Sequence, residues 1–275
     1  MNTPQLPWVQ RFGFERDPFL HAPARIHLDP ARQEAADRAE EFIARRGFAL
    51  LTGPAGCGKT LLLGHICGRL NPNAHRIIYN ACPDCGPADL LRVISAGLDL
   101  EPALSRTRMT RRIGDRLAEL KGVTPVLILD EAQSLPQPAL ETVRTVCSHG
   151  MDGHNRFAVL LSGTDDLLAR LALRINDPLR QRITLYLQLS PLSRDSTRDY
   201  LRNRLEQAGG QLDTLVGADA LNLIFDVTAG VPRRIDKLTA EAFRFAAREQ
   251  ACSVALSHVQ DAVRIVFGPR SEHQP

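Results

Sequence analysis

An α/β fold built on a parallel five-stranded sheet flanked by helices, followed by a small all-helical domain, is the architecture the sequence predicts. Three observations predict it. Short apolar runs alternate with helical stretches up to about residue 190: Phe48-Ala49-Leu50-Leu51, Arg76-Ile77-Ile78-Tyr79, Val126-Leu127-Ile128-Leu129, Phe157-Ala158-Val159-Leu160-Leu161, and Ile183 to Leu189. These runs lack period-two alternation, which is how strands covered on both faces read. From about residue 192 the strand signals stop and only helical periodicity remains.

Each element follows in order. Residues 1–29 are rich in proline and aromatics (Trp8, Phe12, Phe14, Phe19) and read as an irregular extension. Residues 30–46 read as a helix with Ala36, Ala39, Phe42 and Ile43 on one face. After the first strand a glycine loop leads into a helix over 59–70, and the second strand is followed by helices around 87–98 and 108–121. The third strand precedes a helix near 138–149. Helices near 194–208, 217–229, 233–249 and 256–266 make up the last part, broken at Gly209-Gly210 and Gly230-Val231-Pro232. The predicted divisions are therefore 1–29, 30–191, 192–267 and a loose tail at 268–275.

Composition excludes several classes. Hydrophobic residues at 44% and charged residues at 24% are those of a soluble globular chain with enough apolar material for a core. A formal charge of +3 permits nucleic-acid binding without arguing for it. Lysine occurs only at Lys59, Lys121 and Lys237, so the basic side chains are almost all arginine. Six cysteines do not form a disulfide framework, since two lie in or just after the glycine loop and a chain of 275 residues does not need staples. Cys82-Pro83-Asp84-Cys85 is a lone CxxC with no second pair to complete a zinc site. The N-terminus lacks a signal-peptide pattern, and no stretch approaches the roughly 18 apolar residues of a membrane span. A cytoplasmic location without a membrane partner is the expectation.

The strongest chemical signal is Gly53-Pro54-Ala55-Gly56-Cys57-Gly58-Lys59-Thr60, with Leu61 beginning the next turn. Glycines let successive backbone N–H groups curl around an anion, and the helix that starts there directs its positive end at the same point. Lysine reaches the outer phosphates and the hydroxyl of Thr60 holds magnesium. Such a loop predicts binding of ATP with Mg2+. A carboxylate at the end of a neighbouring buried strand is also needed. Asp130, after Val126-Leu127-Ile128-Leu129, is the predicted second magnesium ligand, and Glu131 the general base for the attacking water.

With these motifs in place, the chain resembles the AAA+ ATPases. Within them it is similar to the group containing secretion ATPases of the ExeA type and transposition ATPases of the TniB/TnsC type. The resemblance rests on the loop, on Asp130-Glu131-Ala132-Gln133, on the helical C-terminal domain, and on Phe12-Gly13-Phe14-Glu15-Arg16-Asp17-Pro18-Phe19. Pro191-Leu192, Tyr200-Leu201, Arg204-Leu205 and Ala208-Gly209 add to it. It implies three further residues. The polar sensor at the end of the fourth strand falls on Thr164, with Ser162 as the alternative, and a helix N-cap is the bland role for Thr164. The arginine that reaches into a neighbouring subunit falls on Arg182, with Arg180 as the alternative. The lid arginine that reads the γ-phosphate falls on Arg233, one residue before Arg234.

Partners follow in the same way. Arg106, Arg108, Arg111, Arg112 and Arg116, with Ser105, Thr107 and Thr110 between them, read as a positive stripe for double-stranded DNA. Few aromatics lie nearby, so binding is expected to be largely sequence-independent. Cys85-Gly86-Pro87-Ala88-Asp89-Leu90 and Gly163-Thr164-Asp165 are similar to the transposition branch. The expectation is an ATP-dependent homo-oligomer, ring or filament, that assembles on DNA and works with a transposase and target-selection proteins in DNA transposition and recombination. An ExeA-type secretion or assembly role is the alternative, although those proteins continue past the ATPase into a membrane segment and a wall-binding region. A stand-alone AAA+ protein-binding switch is the third.

Overall fold

The computed structural model describes residues 6–20, 26–81, 85–120, 122–147 and 155–268. Among them the chain runs through α1 (Pro7–Arg11), α2 (Pro30–Arg45), β1 (Phe48–Thr52), α3 (Lys59–Arg69), β2 (His75–Asn80), α4 (Pro87–Gly97) and α5 (Arg106–Glu119). Next come β3 (Thr124–Leu129), α6 (Gln137–Val146), β4 (Ala158–Gly163), α7 (Asp165–Leu171), α8 (Asp177–Arg180) and β5 (Ile183–Gln188). The rest is α9 (Arg194–Glu206), α10 (Leu212–Leu215), α11 (Ala218–Thr228), α12 (Pro232–Arg248) and α13 (Leu256–Phe267). Contacts divide the chain into two units. One is Pro30–Ala55 with Lys59–Leu189; the other is Met1–Asp29, Gly56–Gly58 and Ser190–Pro275.

The first unit holds the sheet, five parallel strands in the order β2-β3-β4-β1-β5. The inner strands carry apolar side chains to both faces, and β1 and β4 are buried at every position. The two edge strands depart from that expectation. In β2, Ile77 and Tyr79 are exposed while Ile78 between them is buried, and β5 buries Ile183 and Leu187 but exposes Tyr186. An edge strand covered on one face returns to period two. Helix α4 begins on Pro87, whose missing N–H costs nothing at a first helical position. Helix α5 turns Met109, Ile113 and Leu117 inward onto the same core as Ile94, Leu98, Leu127 and Leu140. Because β1 lies between β4 and β5, the order of connections reverses beside it. The C-terminal edge at such a point is where open α/β sheets bind ligands.

The second unit packs α9, α11, α12 and α13 around Leu201, Leu205, Ile224, Leu238 and Phe243. Helix α12 directs Ile235, Leu238, Thr239, Ala242, Phe243 and Ala246 inward, the spacing of one helical face. The N-terminal stretch differs from the irregular extension expected of it. Residues 7–11 are helical, and Trp8, Val9 and Phe14 are part of this unit's buried core. Trp8 stacks on Phe243 at 5.9 Å, while Phe12 and Phe14 meet it edge-on at 4.9 and 5.4 Å. The N–H of Glu15 donates to the Ala208 carbonyl at 2.9 Å, and Arg11 donates to the Gln250 carbonyl. Nearby, the Tyr200 hydroxyl donates to the Asp236 carboxylate at 2.9 Å and Arg204 pairs with it at 3.5 Å. Burial pushes the Asp236 carboxyl up to about 6, against the pull of Arg204 and Tyr200, with Asp17 adding to the rise.

Among the described residues no helix is long and apolar enough to cross a membrane. Cys82 of the CxxC pair lies outside the described residues, and Cys85 is buried with its thiol directed at the Gly86 carbonyl at 3.8 Å. Most of the tail expected at 268–275 also lies outside them.

Candidate functional site

β1 ends at Thr52 and α3 begins at Lys59, so the glycine loop turns at the C-terminal edge of the sheet. Gly53, Gly56 and Gly58 have φ of +150°, +83° and +92°. A Cβ on Gly53 would stand 2.3 Å from the Leu189 carbonyl oxygen, so glycine is required there. Lys59 is only 5% exposed. Its ammonium donates to the carbonyls of Gly53 at 2.8 Å and Pro54 at 3.2 Å, and among the described residues it has no ion pair. A buried cation facing only neutral partners is costly unless an anion joins it. Two carbonyls use two of its three donors, which leaves one for a phosphate oxygen.

Thr60 donates its hydroxyl to Asp130 at 2.6 Å, which joins the start of α3 to the end of β3. The N–H of Glu131 donates to the other Asp130 oxygen at 3.0 Å, and the Tyr79 hydroxyl donates to Asp130 at 3.3 Å. Although the Tyr79 side chain is exposed, partial desolvation of its hydroxyl raises its pKa, and the Asp130 charge raises it further. No group of three or more His, Cys, Asp or Glu side chains gathers as a metal cluster among the described residues. A hydroxyl and one carboxylate are nevertheless the protein ligands that fit Mg2+ when phosphates and water complete its shell.

Glu131 has φ 53° and ψ 37°, a left-handed conformation unusual for a side-chain-bearing residue. Its carboxylate accepts from the Gln133 side-chain amide at 2.6 Å. The Gln133 carbonyl oxygen Oε1 accepts from the Thr164 N–H at 3.2 Å. Thr164 occupies the N-cap position of α7 and donates its hydroxyl to Asp166 at 3.0 Å. Ser162, two residues back, is fully buried in β4 and its hydroxyl has no hydrogen-bond partner among the described residues.

The arginines fall into distinct settings. Arg182 immediately precedes β5 and is half-buried, close enough to the buried Cys147 for its charge to act on that thiol. Phe48 pairs with Ile183 and Thr52 with Gln188. Arg182 therefore sits about 17 Å, one strand length, from the edge that carries its own glycine loop. Arg180 is held by Asp177 at 2.7 Å. Arg233 is exposed in the first turn of α12, whereas Arg234 donates to the Val227 carbonyl at 2.9 Å and lies over the Phe267 ring.

The arginine run on α5 does not form the single stripe expected of it. Arg112 donates to the Glu101 carbonyl at 2.8 Å, and Arg116 reaches the Leu98 carbonyl and Glu119. Arg106 and Arg111 instead line a groove of about 720 Å³ with Arg156, beside Thr107, Thr110, Thr142 and Thr145. Asp115 is the acidic residue among the described residues of the groove, and Arg108 is exposed outside it. A helix that places basic residues at successive positions must point them in different directions.

Sequence reasoning missed Tyr79, Arg156 and any role for Gln133. Gln133 stood inside a quoted motif, but nothing in the order of residues showed that it reaches Thr164. Arg156 carried no signal at all.

Residues 43–171 match the family described as AAA domain. The fold is that of the AAA+ P-loop proteins. The chain is 28% identical to general secretion pathway protein A of Aeromonas hydrophila over 96% of its own length and 49% of that protein's. It thus spans about half the length of this curated relative. The ORC2 protein of Aeropyrum pernix, solved in ADPNP and ADP complexes, superposes with a TM-score of 0.70 at 21% identity, covering 92% of this chain and 72% of that one. The Aeropyrum pernix ORC1 protein in complex with DNA gives a TM-score of 0.61 at 23% identity, covering 87% and 66%.

Proposed function

We propose that the chain binds and hydrolyses ATP with Mg2+, and that hydrolysis is completed by a second copy of itself. The observation that carries this reading is the buried Lys59 cation without an ion-pair partner among the described residues, beside the Thr60–Asp130 pair on the C-terminal edge of the sheet. In this reading the loop N–H groups of Gly56 to Thr60 and the Lys59 ammonium bind the phosphates, Leu61 continues the helix behind them, and Thr60 and Asp130 hold the metal. Magnesium supplies charge neutralisation on the phosphate oxygens. Glu131 accepts the proton of the attacking water as the bond to the ADP leaving group breaks. Thr164 or Ser162 reads the phosphate at the end of β4, and Arg233 reads it from α12. Arg182 is set too far from its own loop to touch phosphate there, which supports its action on a neighbour's site. The nucleotides named with the Aeropyrum pernix ORC2 protein are in keeping with ATP.

The groove of Arg106, Arg111 and Arg156 supports duplex DNA as the surface on which copies assemble, with phosphates as the recognised groups. A role in transposition, with a transposase and target-selection proteins as partners, is the finer reading and rests on the similarity at residues 85–90 and 163–165. A secretion or assembly role is the second reading, favoured by the relative matched over nearly the whole chain. The test is ATP hydrolysis with and without duplex DNA at low salt, with ATP-dependent assemblies sought by electron microscopy. DNA-stimulated turnover and DNA-templated rings or filaments are expected. Turnover indifferent to DNA, with no assembly on it, would sink the DNA reading and leave the secretion one standing.

A further inference from the structure

We propose that Gln133 is a positioning residue that ties the Glu131 carboxylate to the turn after β4, so that this turn sets the orientation of the general base. The inference rests on the assignment of Glu131 above. Both ends of the Gln133 amide are engaged: its NH2 donates to Glu131 at 2.6 Å and its oxygen accepts from the Thr164 N–H at 3.2 Å. The amide cannot be reversed. Turned over, it would set its oxygen against a carboxylate and its NH2 against another N–H. The Gln133 backbone carbonyl is held as well, by the Arg170 guanidinium from α7.

Space for the bridge is built into β4. A Cβ on Gly163 would stand 2.5 Å from the Gln133 side-chain oxygen, so only glycine leaves that oxygen room to reach Thr164. Glu131 itself is kept in a left-handed backbone conformation at the point the bridge begins. The carboxylate that receives the water's proton and the turn that carries the sensor candidates are thus joined by one side chain. A shift of the β4–α7 turn moves the Gln133 oxygen, and the NH2 at its other end follows.

The experiment compares steady-state ATP hydrolysis and binding of a fluorescent ATP analogue across six variants of the full chain. Gln133→Leu is expected to lower kcat by about ten- to a hundredfold, as a displaced catalytic group does, while analogue affinity stays near that of the parent. Thr164→Pro removes the N–H at a residue whose φ of −78° proline accepts. It should lower kcat further than Thr164→Ala does, and that difference should vanish in a Gln133→Leu background. Equal kcat for Thr164→Pro and Thr164→Ala overturns the tie even if Gln133→Leu is poorly folded. Full activity in Glu131→Gln removes the base assignment itself, a different failure that is read separately.

Discussion

Lys59 illustrates how a single residue can serve a ligand at the expense of the empty protein. Its ammonium is buried against two carbonyls with no counter-ion among the described residues. Replacing it with methionine removes that uncompensated charge, and the nucleotide-free protein should melt at a higher temperature in a calorimetric scan. The same variant should bind ATP at least about 100-fold more weakly by titration calorimetry, a loss of about 3 kcal/mol. A lower melting temperature would show that the lysine is structural. Glu131→Gln should keep ATP binding and lose turnover by about 10²–10⁴-fold, the usual weight of a general base. At this scale the residues visible in sequence were those whose chemistry is contiguous: Gly53 to Thr60, and Asp130 with Glu131. Tyr79 and Ser162 were harder to weigh, because their roles depend on what stands across the sheet from them.

At the scale of the element, α5 shows where periodicity adds to composition. Met109, Ile113 and Leu117 face inward, so the five arginines around them cannot share one direction. Arg106 and Arg111 turn to the groove with Arg156, while Arg112 and Arg116 cap carbonyls of the α4–α5 connection. Arg106→Ala and Arg111→Ala should each reduce by about one the slope of log affinity for duplex DNA against log salt. Arg112→Ala should leave the slope unchanged, since its guanidinium is already committed. Fluorescence anisotropy over a salt series measures all three, and equal slopes throughout would remove the groove as the DNA surface. The strands were legible because inner strands are apolar throughout and sit between glycine-rich or polar turns. The short helices α8 and α10 were not, since four residues carry no periodicity to read.

Across the whole molecule, each unit answers to a different perturbation. Trp8 is the only tryptophan and lies in the core of the helical unit, so its fluorescence follows that unit alone. Phe243→Ala should lower its stability by about 3–5 kcal/mol in denaturant titrations, because four rings pack around Phe243 at 4.9–6.2 Å. The pH dependence has a definite sign. Asp236 keeps its proton up to about pH 6 when folded, whereas unfolded it releases it nearer 4. The folded form therefore binds more protons between those values, and stability falls as pH rises from about 4 to about 6, then levels. The size is on the order of 2–3 kcal/mol, and Asp236→Asn should flatten that part of the curve whatever it does to the absolute value. The aromatic segment at residues 8–19 was visible as composition, yet its place was not, because its partners lie about two hundred residues later. That separation has a consequence for synthesis. As the ribosome delivers the chain, the sheet unit can close once residue 189 has emerged, but Trp8, Phe12 and Phe14 must wait for α12 to supply Phe243. Throughout that interval a sticky N-terminal segment stays without its docking surface. Nascent chains stalled before residue 243 are the species a holding chaperone should capture.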